Sequence, residues 1–188
     1  MVSILSLWLP ILVAAVLVFL ASSIIHMFLR YHRTDFDPVP SEDAVMEALR
    51  PFSIPPGEYV MPYSAGDPEV MRGEEFKEKV RKGPVAFMTV LPSDYMSGMG
   101  AQMVQWFIYC VVVSIFAAYI AGRALEPGAD YLEAYRFAGA TAFIGYTLGG
   151  WQRSIWYNQK LGTTVKNTVD GLIYGLLTGG VFGWLWPS

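Results

Sequence analysis

Charge, cysteine and recognisable catalytic motifs are what this sequence has least of. Only 15% of its 188 residues are Asp, Glu, Lys or Arg, against 54% hydrophobic ones, a balance too oily for an ordinary soluble domain. The single cysteine, Cys110, excludes an intrachain disulfide and a cysteine-based metal centre, and its place inside an apolar run marks it as a structural thiol. There are two histidines, His26 and His32. No HExxH, GxSxG, P-loop, CxxC or GxGxxG pattern occurs, so the familiar hydrolase, nucleotide and redox signatures are missing. No catalytic residue, metal or cofactor is expected.

What is abundant is apolar sequence, and it is concentrated. Residues 4–29, "ILSLWLPILVAAVLVFLASSIIHMFL", carry no Asp, Glu, Lys or Arg over more than the ~20 residues a helix needs to cross a bilayer. A secretory signal would need a basic start and a shorter apolar core, so this segment reads as a retained anchor. Three more candidates follow at 103–122, 135–151 and 169–186. The fold expected is an all-α integral membrane protein of four transmembrane helices, with a small α+β cytoplasmic insertion between helices 1 and 2. The corresponding divisions are 1–30, 31–100 and 101–188. Arg30, Arg33, Arg153, Lys160 and Lys166 lie near one set of helix ends, and only Arg123 and Arg136 near the other. The positive-inside rule then puts both termini on the periplasmic side of a cell inner membrane. All six tryptophans fall near predicted helix ends, where an aromatic belt would have them.

Residues 30–100 are the only sizeable polar region, with twelve Asp and Glu against eight Lys and Arg. That excess of negative charge makes nucleic acid and anionic lipid headgroups poor partners. "PSEDAVMEALRP" predicts a short helix with Ser41 as N-cap and Pro51 as stop. "DPEVMRGEEFKEKVRKGP" predicts another, with Asp67 as N-cap, Glu75–Lys79 and Glu78–Lys82 pairs, and termination at Gly83. "GEYVMPY" and "PVAFMTVLP" predict two extended segments.

The most pointed pattern is "GLIYGLLTGGVFG", which spaces Gly171, Gly175, Gly179 and Gly183 four apart in an apolar helix, the GxxxG pattern. In lipid, such small-residue faces let two helix backbones approach closely. Each four-residue step overshoots a turn by ~40°, so one straight partner is not expected to meet all four. Gly171 and Gly175 are expected to serve one neighbour, Gly179 and Gly183 another. Ala138, Ala142, Gly145 and Gly149 form a matching face on the third helix, the natural first partner. Asp170 reads as a cap for the fourth helix or, more sharply, as an ion or proton site, since ionisable residues in membrane helices are functional candidates. His26 and His32, six residues apart, are possible interfacial ligands but cannot bracket a haem between helices.

The stretches "HMFLRYHRTDF", "PPGEYVMP" and "GPVAFMTV", set between one membrane helix and three later ones, are similar to those of an uncharacterised family of small four-helix bacterial inner-membrane proteins. The resemblance implies a bacterial plasma membrane and the same topology, and carries over no site. The function expected is that of a non-catalytic accessory or assembly subunit of a larger membrane complex, or of a homo-oligomer, packed through glycine-rich helix faces. Its partners would be membrane lipids and other subunits or itself. The alternative is a small transporter or channel with an ion or solute site near Asp170, Tyr146 and Tyr174. A membrane enzyme acting on a lipid or quinone through His26 and His32 is a third class.

Overall fold

A computed structural model describes residues 1–95 and 98–188. The described residues are mostly helical with one two-stranded sheet, and the chain divides into two units. The first unit joins Met1–Asp37 to Gly100–Ser188, and the second is Pro38–Met99. Residues 31–37, grouped by sequence with the insertion, therefore belong with the long helices.

The first unit is built on four long helices: α1 (Trp8–Met27), α5 (Gly100–Ala124), α6 (Tyr131–Thr147) and α8 (Leu161–Trp184). A short helix α7 (Trp151–Tyr157) lies in the connection between α6 and α8. The 3-10 turn Ile4–Leu7 leads into α1, and together they form one of two helices among the described residues that are long and apolar enough to cross a membrane; α5 is the other. A short connection, residues 125–130, turns α5 into its antiparallel neighbour α6, and the longer connection through α7 returns the chain as α8, antiparallel to α6. Both termini meet the loop between α5 and α6. The Val2 amide donates to the Gly122 carbonyl at 2.8 Å, the Met1 ammonium pairs with Glu126, and the Gly128 amide donates to the Pro187 carbonyl at 2.8 Å. Gly122 permits the first crossing: a Cβ there would lie 2.7 Å from the Val2 carbonyl oxygen.

The core is assembled from small residues. Ala14, Ala117, Ala118, Ala121 and Ala138 are fully buried around Leu7, Ile11 and Phe182, and a second cluster holds Ala15, Val18, Cys110 and Tyr174. Large apolar side chains instead point outward. Leu12, Val16 and Leu20 on α1 are exposed, as are Ile108, Val112 and Phe116 on α5, Phe137 and Ile144 on α6, and Val169, Leu172 and Leu176 on α8.

All four stripe glycines face α6, which corrects the expectation of two neighbours. A Cβ on Gly175 would lie 2.9 Å from the Gly139 carbonyl oxygen, and one on Gly179 would lie 2.7 Å from the Tyr135 carbonyl oxygen. Gly183 is covered by the Tyr131 ring and Gly171 by the Thr147 methyl. Backbone meets backbone at the centre, and side chains reach around at the two ends, so a single partner spans the ~120° arc. The matching face on α6 also differs from expectation. Gly139, not singled out by sequence, is the residue pressed on Gly175 and Gly179. Ala138 and Ala142 are buried, whereas a Cβ on Gly145 would press on Val113 of α5 and one on Gly149 would point into open space.

Helix ends moved more than helix centres. α6 begins at Tyr131, four residues early, because Glu133 accepts from the Asp130 amide at 3.3 Å and closes a capping box. α8 begins eight residues early, at Leu161, so Asp170 is its tenth residue and not an N-terminal cap.

The second unit contains α2 (Glu42–Leu49), α3 (Pro68–Arg72), α4 (Glu74–Lys82) and the strands β1 (Gly57–Met61) and β2 (Ala86–Val90). The strands pair antiparallel, with Gly57 opposite Val90 and Met61 opposite Ala86. Ser41 precedes α2 but makes no cap, since its backbone is left-handed with φ 53°. The single helix expected after Asp67 is two, broken at Gly73, whose ψ of 144° is extended. Asp67 does accept from the Glu69 amide at 2.8 Å, and Lys79 and Lys82 pair with Glu75 and Glu78.

Candidate functional site

Asp170 is 2% exposed in the third turn of α8. A carboxylate so buried among apolar helices costs several kcal/mol unless it is paired. Its partners arrive from the far side of the sequence. Beyond α1 the chain makes a 3-10 turn, Tyr31–Thr34, which lays residues 31–35 against the first turns of α8. The Tyr31 hydroxyl donates to Asp170 Oδ1, and His32 Nε2 lies 2.8 Å from Asp170 Oδ2. The other ring nitrogen, His32 Nδ1, lies 2.6 Å from Asp35 Oδ2.

Asp35 is held in turn by α8. Lys166 Nζ donates to Asp35 Oδ1 at 2.8 Å and to the Tyr31 carbonyl at 2.6 Å, and the Thr163 hydroxyl adds a 3.3 Å bond to Asp35 Oδ1. Burial alone would raise the Asp35 carboxyl, but hydrogen bonds from Lys166 and His32 outweigh it and hold the group below its usual range. Burial, followed by the bond to Asp170, pushes the Tyr31 hydroxyl well above its usual value, which keeps it a donor. The result is a continuous chain of contacts running Lys166–Asp35–His32–Asp170–Tyr31.

Hydrogen counting exposes a shortage at its middle. A neutral imidazole has one N–H, yet His32 presents each nitrogen to a carboxylate. One of these two contacts must therefore be completed by a hydrogen or a cation from outside the neutral ring. The His26 ring lies 4.5 Å from that of His32, centroid to centroid. One donor atom from each of His26, His32 and Asp170 falls within 4.8 Å of the others. The two histidines thus sit side by side and converge on Asp170, which was not expected.

In front of this group opens a cavity of about 250 Å³, lined among others by His26, Trp106, Tyr146, Thr164, Asp170 and Tyr174. Trp106 is fixed by its indole N–H, which donates to Ser22 Oγ at 2.7 Å, and its ring packs near Tyr146 and Tyr174. Tyr174 is 3% exposed, and among the described residues its hydroxyl has no hydrogen-bond partner.

Sequence reasoning singled out Asp170, His26, His32, Tyr146 and Tyr174, and the structure gathers all five. It missed Tyr31, Asp35 and Lys166. A signal for part of this was available: Thr163, Lys166, Asp170 and Tyr174 recur at three- and four-residue spacing, which puts them on one face once the helix starts before them. No protein family, curated protein or solved structure is found to match the chain, so function must be reasoned from the site itself.

Proposed function

We propose that this is an integral membrane protein whose four long helices all cross the bilayer, and that it handles a small cation or proton at Asp170. Support for four spans comes from the outward faces of α6 and α8. Phe137, Ile144, Val169, Leu172 and Leu176 are exposed there, and water would not favour such a surface whereas lipid chains would. At 24 residues α8 is ~36 Å long, enough to span. Antiparallel packing and the meeting of both termini with the loop between α5 and α6 agree with an even number of crossings. The arginine and lysine distribution favours periplasmic termini.

The observation that carries the functional reading is the setting of Asp170: buried in α8, paired to a residue 138 positions away, and facing a cavity. An ionisable group placed so within a membrane bundle marks ion or proton handling by default. The glycine faces that motivated an accessory or self-associating role are turned inward onto α6. A subunit role would have to use other surfaces.

The test is flux. The purified chain in sealed proteoliposomes should pass protons or a cation down an imposed gradient, and Asp170→Asn should cut the rate at least tenfold while the protein still reconstitutes. No flux above empty vesicles, or equal flux in the variant, would overturn the reading.

A further inference from the structure

We infer that His26, His32 and Asp170 bind one divalent first-row transition metal, through two imidazole nitrogens and one carboxylate oxygen, with the remaining coordination positions open to the cavity. The inference rests on the ion-handling reading of Asp170 and names the ion's chemical class.

Geometry comes first. Around a metal with bonds of ~2.0–2.2 Å, adjacent ligand atoms stand roughly 3–3.5 Å apart. The His32 Nε2 to Asp170 Oδ2 edge is 2.8 Å, and the widest separation in the trio is within 4.8 Å. His26, the exposed member of the three, is the one free to close the difference by a side-chain rotation.

Orientation is already provided from behind. Ligating histidines almost always hand their other nitrogen to a carboxylate or carbonyl, which fixes the ring and raises its basicity. Asp35 does this for His32 at 2.6 Å and is itself anchored by Lys166 and Thr163. Tyr31 holds the Asp170 oxygen that does not face His32. The atoms left to ligate, His32 Nε2 and Asp170 Oδ2, are aimed at each other, and a metal inserted between them removes the shortage of donors at His32.

Charge agrees. Asp35 and Asp170 oppose one lysine, Lys166, so the cluster with neutral imidazoles is short of positive charge. Ligand type sets the class: imidazole suits zinc, iron, copper and nickel, whereas magnesium and calcium prefer all-oxygen sites. Two histidines and one carboxylate with open positions is the donor set of catalytic zinc and non-haem iron(II) centres. The open side meets the 250 Å³ cavity, which Trp106, Tyr146 and Tyr174 also line.

The experiment uses the full chain in mild detergent, stripped with a chelator and titrated with Zn2+, Co2+ and anaerobic Fe2+, with Mg2+ and Ca2+ as competitors. Elemental analysis should give about one transition metal per chain, undisturbed by a hundredfold excess of Mg2+ or Ca2+. His32→Ala and Asp170→Asn should lose it. Asp35→Asn should still fill but bind ~10–100-fold more weakly, as outer partners of ligating histidines do. Size-exclusion profiles and thermal unfolding certify that each variant is folded. The Co2+ visible spectrum of the wild type supplies a readout independent of any variant, since bands of nitrogen and oxygen coordination are expected. Failure of the wild type to retain any of the three metals, or retention unchanged in folded His32→Ala and Asp170→Asn, would overturn the site. Proton flux dependent on Asp170 without bound metal would overturn it while leaving the proposed function standing. Metal bound without flux would uphold the site and overturn the transport role.

Discussion

Two adjacent glycines of α8 should respond to alanine with opposite sign. A Cβ on Gly179 would sit 2.7 Å from the Tyr135 carbonyl oxygen, 3.1 Å from its ring and 3.2 Å from Gly139 Cα. Two of those three neighbours are backbone atoms of α6, so relief requires α6 and α8 to separate by several tenths of an ångström along their shared face. Overpacking typically costs about 1–3 kcal/mol, and against backbone atoms it falls in the upper part of that range, about 2–2.5 kcal/mol, offset by about 0.5–1 kcal/mol for replacing a helical glycine. Gly180 differs: its Cβ would meet only the Tyr131 hydroxyl, at 3.7 Å. There the helical gain is uncompensated. Gly179→Ala should therefore be less stable than wild type by about 1–2 kcal/mol, and Gly180→Ala more stable by about 0.5–1 kcal/mol. At ~2–4 °C per kcal/mol for a chain of this size, the two melting temperatures should differ by roughly 3–12 °C. Intrinsic tryptophan fluorescence during heating in detergent reads both. Equal shifts, or a Gly179→Ala protein as stable as wild type, would refute close α6–α8 backbone contact.

Single cysteines introduced at Ser188 and Ser53 in a Cys110→Ala background test topology. An impermeant maleimide should label Ser188→Cys in intact cells and Ser53→Cys only after lysis, and the reverse pattern would refute the orientation. Trp106→Phe keeps an aromatic ring at the cavity but loses the 2.7 Å bond to Ser22, so thermal unfolding should show a loss of about 0.5–1.5 kcal/mol. Lys166→Met removes three hydrogen bonds to residues 31–35. It should weaken Zn2+ binding ~10–100-fold in a titration without abolishing it, and unchanged affinity would detach Lys166 from the site.

Apolar runs located all four long helices, because a stretch of this hydrophobicity has few alternatives to a membrane or core helix. Their boundaries were harder to read, since polar residues at a helix end look the same as a loop. "LGTTVKNT" is such a case. Its turns are helical because Thr164 meets Ser154, Lys166 and Thr163 meet Asp35, and Thr168 meets Trp151. None of these contacts is local in sequence. That missed extension is why Asp170 passed for a cap, and why its burial and its two partners from residues 31 and 32 were invisible. Asp35 lay in a segment whose charges suggested only a solvated insertion. By contrast, the Glu75–Lys79 and Glu78–Lys82 pairs were legible because an i,i+4 contact needs nothing beyond the helix that carries it.

The glycine stripe and the site are not independent features. Gly171 follows Asp170 directly, and a Cβ on it would collide with the Thr147 methyl and lie 3.3 Å from Tyr146 Cβ. Both Thr147 and Tyr146 line the cavity. Thr147 cannot rotate away freely, because its hydroxyl donates to the Phe143 carbonyl at 2.6 Å. The first glycine of the stripe therefore sets the spacing between Asp170 and the opposite wall, whereas Gly175, one turn on, meets Gly139 and Phe143, neither of which lines the cavity. Gly171→Ala and Gly175→Ala should each lower thermal stability by about 1–2 kcal/mol, but only Gly171→Ala should also weaken metal binding, by at least tenfold. Equal affinity in the two variants at equal thermal cost would mean that the stripe packs the bundle and leaves the site untouched.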